Sequence, residues 1–374
     1  MTDLMATWRF RTPNEWEGVP RWADVLVWRN HIFQLIITSK YASDDNRDAM
    51  TQGGFNDKAW GVNRLASIAR KHGACGTCVD IINSLYGFPT MQVNEAFVKI
   101  HEQAKAQMAD PTQIALAFQL LNETNLSYFS PAQQAELVRL KGVCLERIGN
   151  DVDARDALST AVGLHDKLGE GWLSWGVFCE NATMRETLGM PAERNRTARE
   201  VAVEQAVACY LTSAAQGSPG GRAMMARVLR LLTFEDAGGA VSRAMAQHVG
   251  AVPSWVWLQW VPQLLASLQH NEMQMAKALL RRVVGQHPHA LYLHLRAALM
   301  GLRALVTTHE ARAATRAADG RGAVSEARAA ATAFEEGKKL MQIARQEDPA
   351  HMAVTEAAVS QASAGGWRKG RVAL

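Results

Sequence analysis

A repeat of 34 residues is the feature that most narrows what this chain can fold into. Gly142 and Gly176 stand 34 positions apart, and Ala154 and Ala161 follow the first glycine by twelve and nineteen. Glycine lets two helix backbones approach, and small residues line their crossing, as in tetratricopeptide-type helix pairs. Trp172 and Trp175 precede the second glycine as the large residues of such a unit. The pattern then lapses, because Leu188 and Asn195 stand where the next two small residues belong. Residues 186–198 are therefore expected to form an irregular loop, with helix resuming near Arg199 and placing Ala206 and Tyr210 on one side.

Local signals agree with helices throughout. Asp110-Pro111-Thr112-Gln113 and Ser130-Pro131-Ala132-Gln133 each put a side-chain acceptor at a cap, proline in the first turn, and a glutamine able to reach back to the cap amide. Ile114, Ala117, Phe118 and Leu121 recur at helical spacing, as do Leu137, Leu140, Val143 and Cys144. No succession of alternating apolar runs closed by hairpin dipeptides marks a sheet. The fold class expected is all-α, a tetratricopeptide-like α-solenoid of degenerate antiparallel helix pairs wound as a right-handed superhelix. Gly217 to Gly221 reads as a turn, and Gly238-Gly239 as a helix break. The expected organisation is a helical repeat solenoid over 1–305, an Ala/Arg-rich connector over 306–334, further helices over 335–360 and a divergent tail over 361–374.

Several chemistries are disfavoured by composition. Forty basic against 36 acidic residues leave a net charge of +4, too small and too dispersed for a nucleic-acid groove, so no direct nucleic-acid partner is expected. Five scattered cysteines do not form a disulfide framework, and the first ten residues resemble no secretory signal. Hence the triplets at Asn122, Asn125, Asn181 and Asn195 are read as chance matches to a glycosylation pattern. Ala244 to Asn271 holds no charged side chain, yet Gly250, Pro253 and Pro262 interrupt it, so a buried helix is expected there and no membrane span. Cys75-Gly76-Thr77-Cys78 follows a helix end where a redox enzyme would have a strand, and no further ligand pair completes a zinc site. His287 and His289 flank Pro288 with no carboxylate at ligand spacing, and no Gly-x-Ser-x-Gly elbow is present. No catalytic, cofactor-binding or metal-binding residue is expected. Of the aromatic cluster, Trp257 and Trp260 are expected on one packed helix face, and Trp255 alone as an exposed anchor.

Residues 250–268, GAVPSWVWLQWVPQLLASL, carry a more specific signal in Gly250, Pro253, Trp257, Trp260, Pro262, Gln263, Leu264 and Leu265. With Trp22 to Gln34, Ile68 to Asp80, Thr124 to Phe129, Leu140 to Gly142, His165-Asp166, Trp172, Trp175, Gly176, Val228 to Ala237 and Pro288 to Arg296, this series resembles, in order, the FAT region of TRRAP-type pseudokinases. Those proteins (the transformation/transcription domain-associated type) are relatives of the phosphatidylinositol-kinase-related kinases. A weaker likeness returns at Lys339 to Val359. Arg230 and His294 depart from it, standing in place of an aromatic and a proline, and residues 306–334 do not align. No Gly-rich phosphate loop, catalytic-loop acid or metal-binding Asp-Phe-Gly follows.

The resemblance implies a noncatalytic protein-interaction scaffold in the nucleus, without cofactors. Its implied partners are subunits of histone acetyltransferase complexes and the transcription activators they receive. Two other readings stay open: the regulatory solenoid of an active kinase of the same superfamily, and a stand-alone tetratricopeptide adaptor. Val143 and Val177 occupy turns where a carboxylate-clamping adaptor would need an amide, which weighs against the last.

Overall fold

The structure, a computed structural model, describes residues 7–38, 44–88, 91–186, 192–233, 239–268, 273–315 and 321–364. Among the described residues there is no β-strand, and helices pack in adjacent pairs as in an all-α helical solenoid. Two compact units divide within one helix, Met1–Phe178 and Cys179–Leu374.

In the first unit, α1 (Val19–Thr38) packs on α2 (Asp44–Lys71), and α2 on α3 (Cys75–Asn83) and α4 (Val93–Met108). Next, α5 (Ile114–Glu123) joins α4 to α6 (Pro131–Ile148), α6 pairs with α7 (Asp151–Leu164), and α8 (Gly169–Glu186) follows. Alternate helices α2, α4 and α6 also touch in series. Trp22, Leu26, Leu65 and Ile68 seal α1 to α2, and Ala104, Met108, Ala117, Leu121, Leu137, Leu140 and Cys144 close the α4–α5–α6 core.

The helix starts follow their capping residues. Ser130 Oγ accepts the Gln133 N–H at 3.4 Å, while Gln133 Oε1 accepts the Ser130 N–H at 3.1 Å, the reciprocal arrangement expected. Asp110 differs. Pro111–Gln113 is a 3-10 turn, so Asp110 Oδ1 accepts the Thr112 N–H at 2.9 Å and Gln113 donates to the Asp110 carboxylate instead of capping the backbone. Gly149, at φ +93°, ends α6 in a left-handed turn that a side chain would strain.

The 34-residue signal has a direct structural cause at its first glycine. A Cβ on Gly142 would lie 2.7 Å from Leu158 Cγ, and Ala154, Leu158 and Ala161 on α7 are fully buried. At the second glycine the packing is looser than the repeat suggests. Gly176 is buried, but Trp172 and Trp175 are only half-buried. The Trp172 indole donates to the Asp166 carbonyl at 2.7 Å, and Trp175 stacks on Phe178 at 5.8 Å.

The second unit continues with α9 (Ala192–Ala215), α10 (Pro219–Ala223), α11 (Met225–Thr233) and α12 (Ala240–His248), all three shorter helices resting on α9. Then come α13 (Val261–Ser267), α14 (Met273–Gln286), α15 (Pro288–Thr315), α16 (Arg321–Glu347) and α17 (Pro349–Ala364). Two expectations change here. Helix resumes at Ala192, not near Arg199, because neither glycine nor proline occurs from 192 to 215; residues 187–191 of the expected loop lie outside the described residues. The charge-free run is not one helix: after α12 it turns through Val249–Ala251 and the 3-10 segment Ser254–Trp260 before α13, as Gly250, Pro253 and Pro262 dictate. Within the segment expected as an Ala/Arg-rich connector, 306–315 and 321–334 belong to α15 and α16, which pack against each other; 316–320 lie outside the described residues. So does the tail beyond 364, and so does Gly238 of the expected Gly238-Gly239 break.

Glycine is required where α10 meets α9. Gly217 (φ +79°) turns the chain, Ser218 Oγ accepts the Gly221 N–H at 3.1 Å, and a Cβ on Gly221 would lie 2.6 Å from the Ala214 backbone nitrogen. Main chain cannot yield as a side chain can, so Gly221→Ala should destabilise by about 1–3 kcal/mol through overpacking. Gly142→Val should cost a similar amount, whereas Gly163→Ala on α7, with open space at its Cβ, should be neutral or stabilise by up to about 1 kcal/mol. Urea unfolding of the three variants measures all of these.

Candidate functional site

The polar interior of the first unit is a row of charges crossing α2, α4, α6 and α8. Arg70 Nε donates to Glu102 Oε2 at 2.6 Å. His101, next on α4, places Nδ1 3.2 Å from Glu102 and Nε2 3.1 Å from Glu136 on α6. Arg139 grips Glu136 with two bonds of 2.7 Å and reaches Ser174 of α8 at 3.0 Å; Lys105 lies 3.5 Å from Glu136. Burial works to raise the Glu102 carboxyl, but hydrogen bonds from His101 and Arg70 outweigh it and hold the pKa at about 2. Burial likewise opposes ionisation of Glu136, and Arg139 and His101 overcome it, leaving that carboxyl far below the usual range. Lys105 is lowered by burial. Every carboxylate in this row is matched, so the row fixes helix register.

The second unit has a smaller counterpart. Glu180 accepts from the Tyr210 hydroxyl at 2.9 Å and from Arg227, and burial with the adjacent Glu180 charge pushes the Tyr210 hydroxyl pKa well up.

Exposed apolar surface is concentrated elsewhere. On α1, Trp22, Leu26 and Phe33 face inward, which turns Trp28 and Leu35 outward, 59% and 68% exposed and seven residues apart on one stripe. Trp8 meets Trp28 at a ring separation of 6.0 Å, and buried Arg29 ties the preceding segment down by donating to the Trp8 carbonyl at 2.6 Å and to that of Arg11. Sequence reasoning missed this stripe, although Trp28 and Leu35 fall off the apolar spacing of their own helix. Two grooves are open to solvent. One, of about 420 Å³, has a floor of Leu121, Leu137 and Leu145 with Asn122, Lys141 and Asp156 at its rim; the other, of about 480 Å³, is lined by Pro262, Leu265, Leu302 and Leu305. Such surfaces suit apolar side chains of another polypeptide.

The residues singled out in the sequence separate on inspection. Trp257 is fully buried and Trp260 half-buried, both in the 3-10 turn and not on one α-helix, while Trp255 is 47% exposed under the Arg222 guanidinium at 5.4 Å. Cys75 and Cys78 open α3; burial and the Glu102 charge push the Cys78 thiol up to about 12, and burial pushes Cys144 to about 11 and Cys209 higher still. Thiols so shifted are not nucleophiles at neutral pH. His287 bonds Ser254 at 2.9 Å, His294 borders the second groove, and His289 meets Asp348, a carboxylate from 59 positions on. No helix among the described residues is long and apolar enough to cross a membrane.

Because Glu102 is depressed from 4.5 to about 2, its contribution to stability is complete above pH 4.5 and is lost as pH falls toward about 2. The urea midpoint should therefore drop across that window, and Glu102→Gln should flatten the decline while lowering the midpoint at neutral pH.

The FAT-domain family profile matches residues 1–233. The chain is 32% identical over 303 residues to the SAGA complex/NuA4 acetyltransferase complex subunit TRA1 of Saccharomyces cerevisiae, covering 78% of this chain and 8% of that protein. It is 29% identical over 315 residues to the Transformation/transcription domain-associated protein of Mus musculus, covering 81% of this chain and 12% of the relative, and 28% identical over 325 residues to that of Homo sapiens, covering 81% and 8%. The chain thus spans roughly a tenth of the length of these relatives. A helical-pair architecture, its order of local strings and this similarity along four-fifths of its length agree: the chain belongs to the FAT-domain family, among relatives of the TRA1 and transformation/transcription domain-associated type.

Proposed function

We propose that this chain is a noncatalytic protein-interaction scaffold acting in the nucleus, the FAT portion of a subunit of histone acetyltransferase coactivator complexes that receives transcription activators. The observation that carries the reading is the collinear similarity to TRA1, a SAGA and NuA4 acetyltransferase complex subunit by name, over 78% of the chain. The chemistry of its side chains supports the reading. Glu102 and Glu136 of the first unit are matched by cations, the shifted thiols are held protonated by burial, and large aromatic and aliphatic side chains such as Trp28, Leu35 and Trp255 are exposed. Helix-pair arrays bind through such extended surfaces, with affinity concentrated in a few exposed aromatic anchors. Trp28 and Trp255 are the anchors this reading assigns, and it includes neither nucleic acid nor membrane among the partners.

Affinity capture from nuclear extract with the intact 374-residue chain tests the reading. Acetyltransferase-complex subunits and histone acetylation activity should co-purify, and Trp28→Ala or Trp255→Ala should reduce one or both by several-fold without altering the melting curve. Recovery of a phosphatidylinositol-kinase-related catalytic chain, or of chaperones alone, would replace it with the kinase-fragment or adaptor reading.

A further inference from the structure

We infer that His289, Asp348 and His351 form a binding site for a divalent transition-metal ion of the zinc class at the junction of α15 and α17. Two proline-led helix starts meet there: Pro288 opens α15 with His289 next to it, and Pro349 opens α17 with Asp348 before it and His351 in its first turn. His289 Nε2 lies 2.9 Å from Asp348 Oδ2, His351 Nδ1 lies 3.7 Å from the same oxygen, and the rings are 4.6 Å apart between centroids. One ligand atom from each residue falls within 4.8 Å of the others. A tetrahedral zinc with nitrogen and oxygen ligands at about 2.0–2.1 Å needs ligand-to-ligand edges of about 3.4 Å. The two edges to Asp348 bracket that value, and the third, between the two imidazoles, is within 4.8 Å, so modest rotation of the exposed His351 ring would complete the set.

The donors are of the right kind and one is already oriented. Imidazole and carboxylate together suit zinc, cobalt, nickel and copper and discriminate against calcium and magnesium, which prefer all-oxygen ligands. Asp348 Oδ1 is held by the His351 backbone N–H at 3.2 Å, which leaves Oδ2 turned toward both rings, as a supporting hydrogen bond orients a metal-binding carboxylate. All three side chains retain solvent access, 45%, 34% and 73% exposed in the order His289, Asp348, His351. Water can therefore fill the fourth position, or another protein can supply a ligand there. Two helix N-termini bring partial positive charge to the place, which opposes a cation and weakens its binding. A structural zinc buried in a core would be far tighter.

The test uses the full chain, purified without a polyhistidine tag, titrated with cobalt(II) by visible absorption and with zinc by calorimetry. One equivalent per chain should bind, with ligand-field bands of nitrogen and oxygen donors and no thiolate charge-transfer band. His289→Ala and Asp348→Asn should each weaken binding at least tenfold. His351→Ala should do the same at the most exposed ligand, where folding is least at issue, and His287→Ala should leave the affinity unchanged. Unaltered thermal melts of the apo variants would separate loss of ligands from loss of fold. Absence of saturable binding, a thiolate band, or an affinity indifferent to all three ligand substitutions would overturn the site and leave His289 and Asp348 as a hydrogen-bonded pair between two helix starts.

Discussion

The first unit depends on keeping Glu136 charged and matched inside it. Its carboxylate is gripped by Arg139 from its own helix, approached by His101 and Lys105 from α4, and linked through Arg139 to Ser174 on α8. Removing water from a carboxylate costs several kcal/mol, and the attraction of its partners recovers this only when their geometry is right. The penalty for a misplaced helix is then much larger than the net gain from a correct one. A one-residue slip of α4 against α6 would strand Glu136, Glu102 and Arg139 together. Such a row adds little to raw stability, but it selects one register among the many that an Ala- and Leu-rich helix interface would tolerate.

Register matters because each helix pair buries its apolar side only against its neighbours. Leu158 lies over Gly142, Phe129 and Leu121 close the α4–α5–α6 core, and the α9 backbone makes way only for Gly221. Stability of this kind is a sum of neighbouring interfaces, so the outward faces are released from packing duty. There the chain exposes Trp28, Leu35 and Trp255, with the Arg222 guanidinium over the Trp255 ring and His31 also exposed, groups that a binding surface can use.

Composition, periodicity and capping determined the all-α class, the close approach at Gly142 with Ala154 and Ala161, the Ser130 cap and the Ser218 turn, because each follows from contacts within a helix or between consecutive ones; the family came from the resemblance of its collinear local strings. Trp257 is packed and Trp255 exposed as expected, although the helical period behind that expectation does not hold in the 3-10 segment Ser254–Trp260. Pairings between residues far apart in sequence are settled only when the chain is folded. The meeting of Arg70 with Glu102 and of His101 with Glu136 spans 32 and 35 positions, and that of His289 with Asp348 spans 59. A charged residue on a helix looks the same in sequence whether it faces water or its opposite; its role depends on which helix comes to lie beside it. The turn at Ser254–Trp260 was obscured for a related reason, because an uncharged run records burial without recording the backbone path that achieves it. Local spacing therefore reveals the frame of this protein, and the matching of its charges emerges only when distant helices are brought within hydrogen-bonding distance.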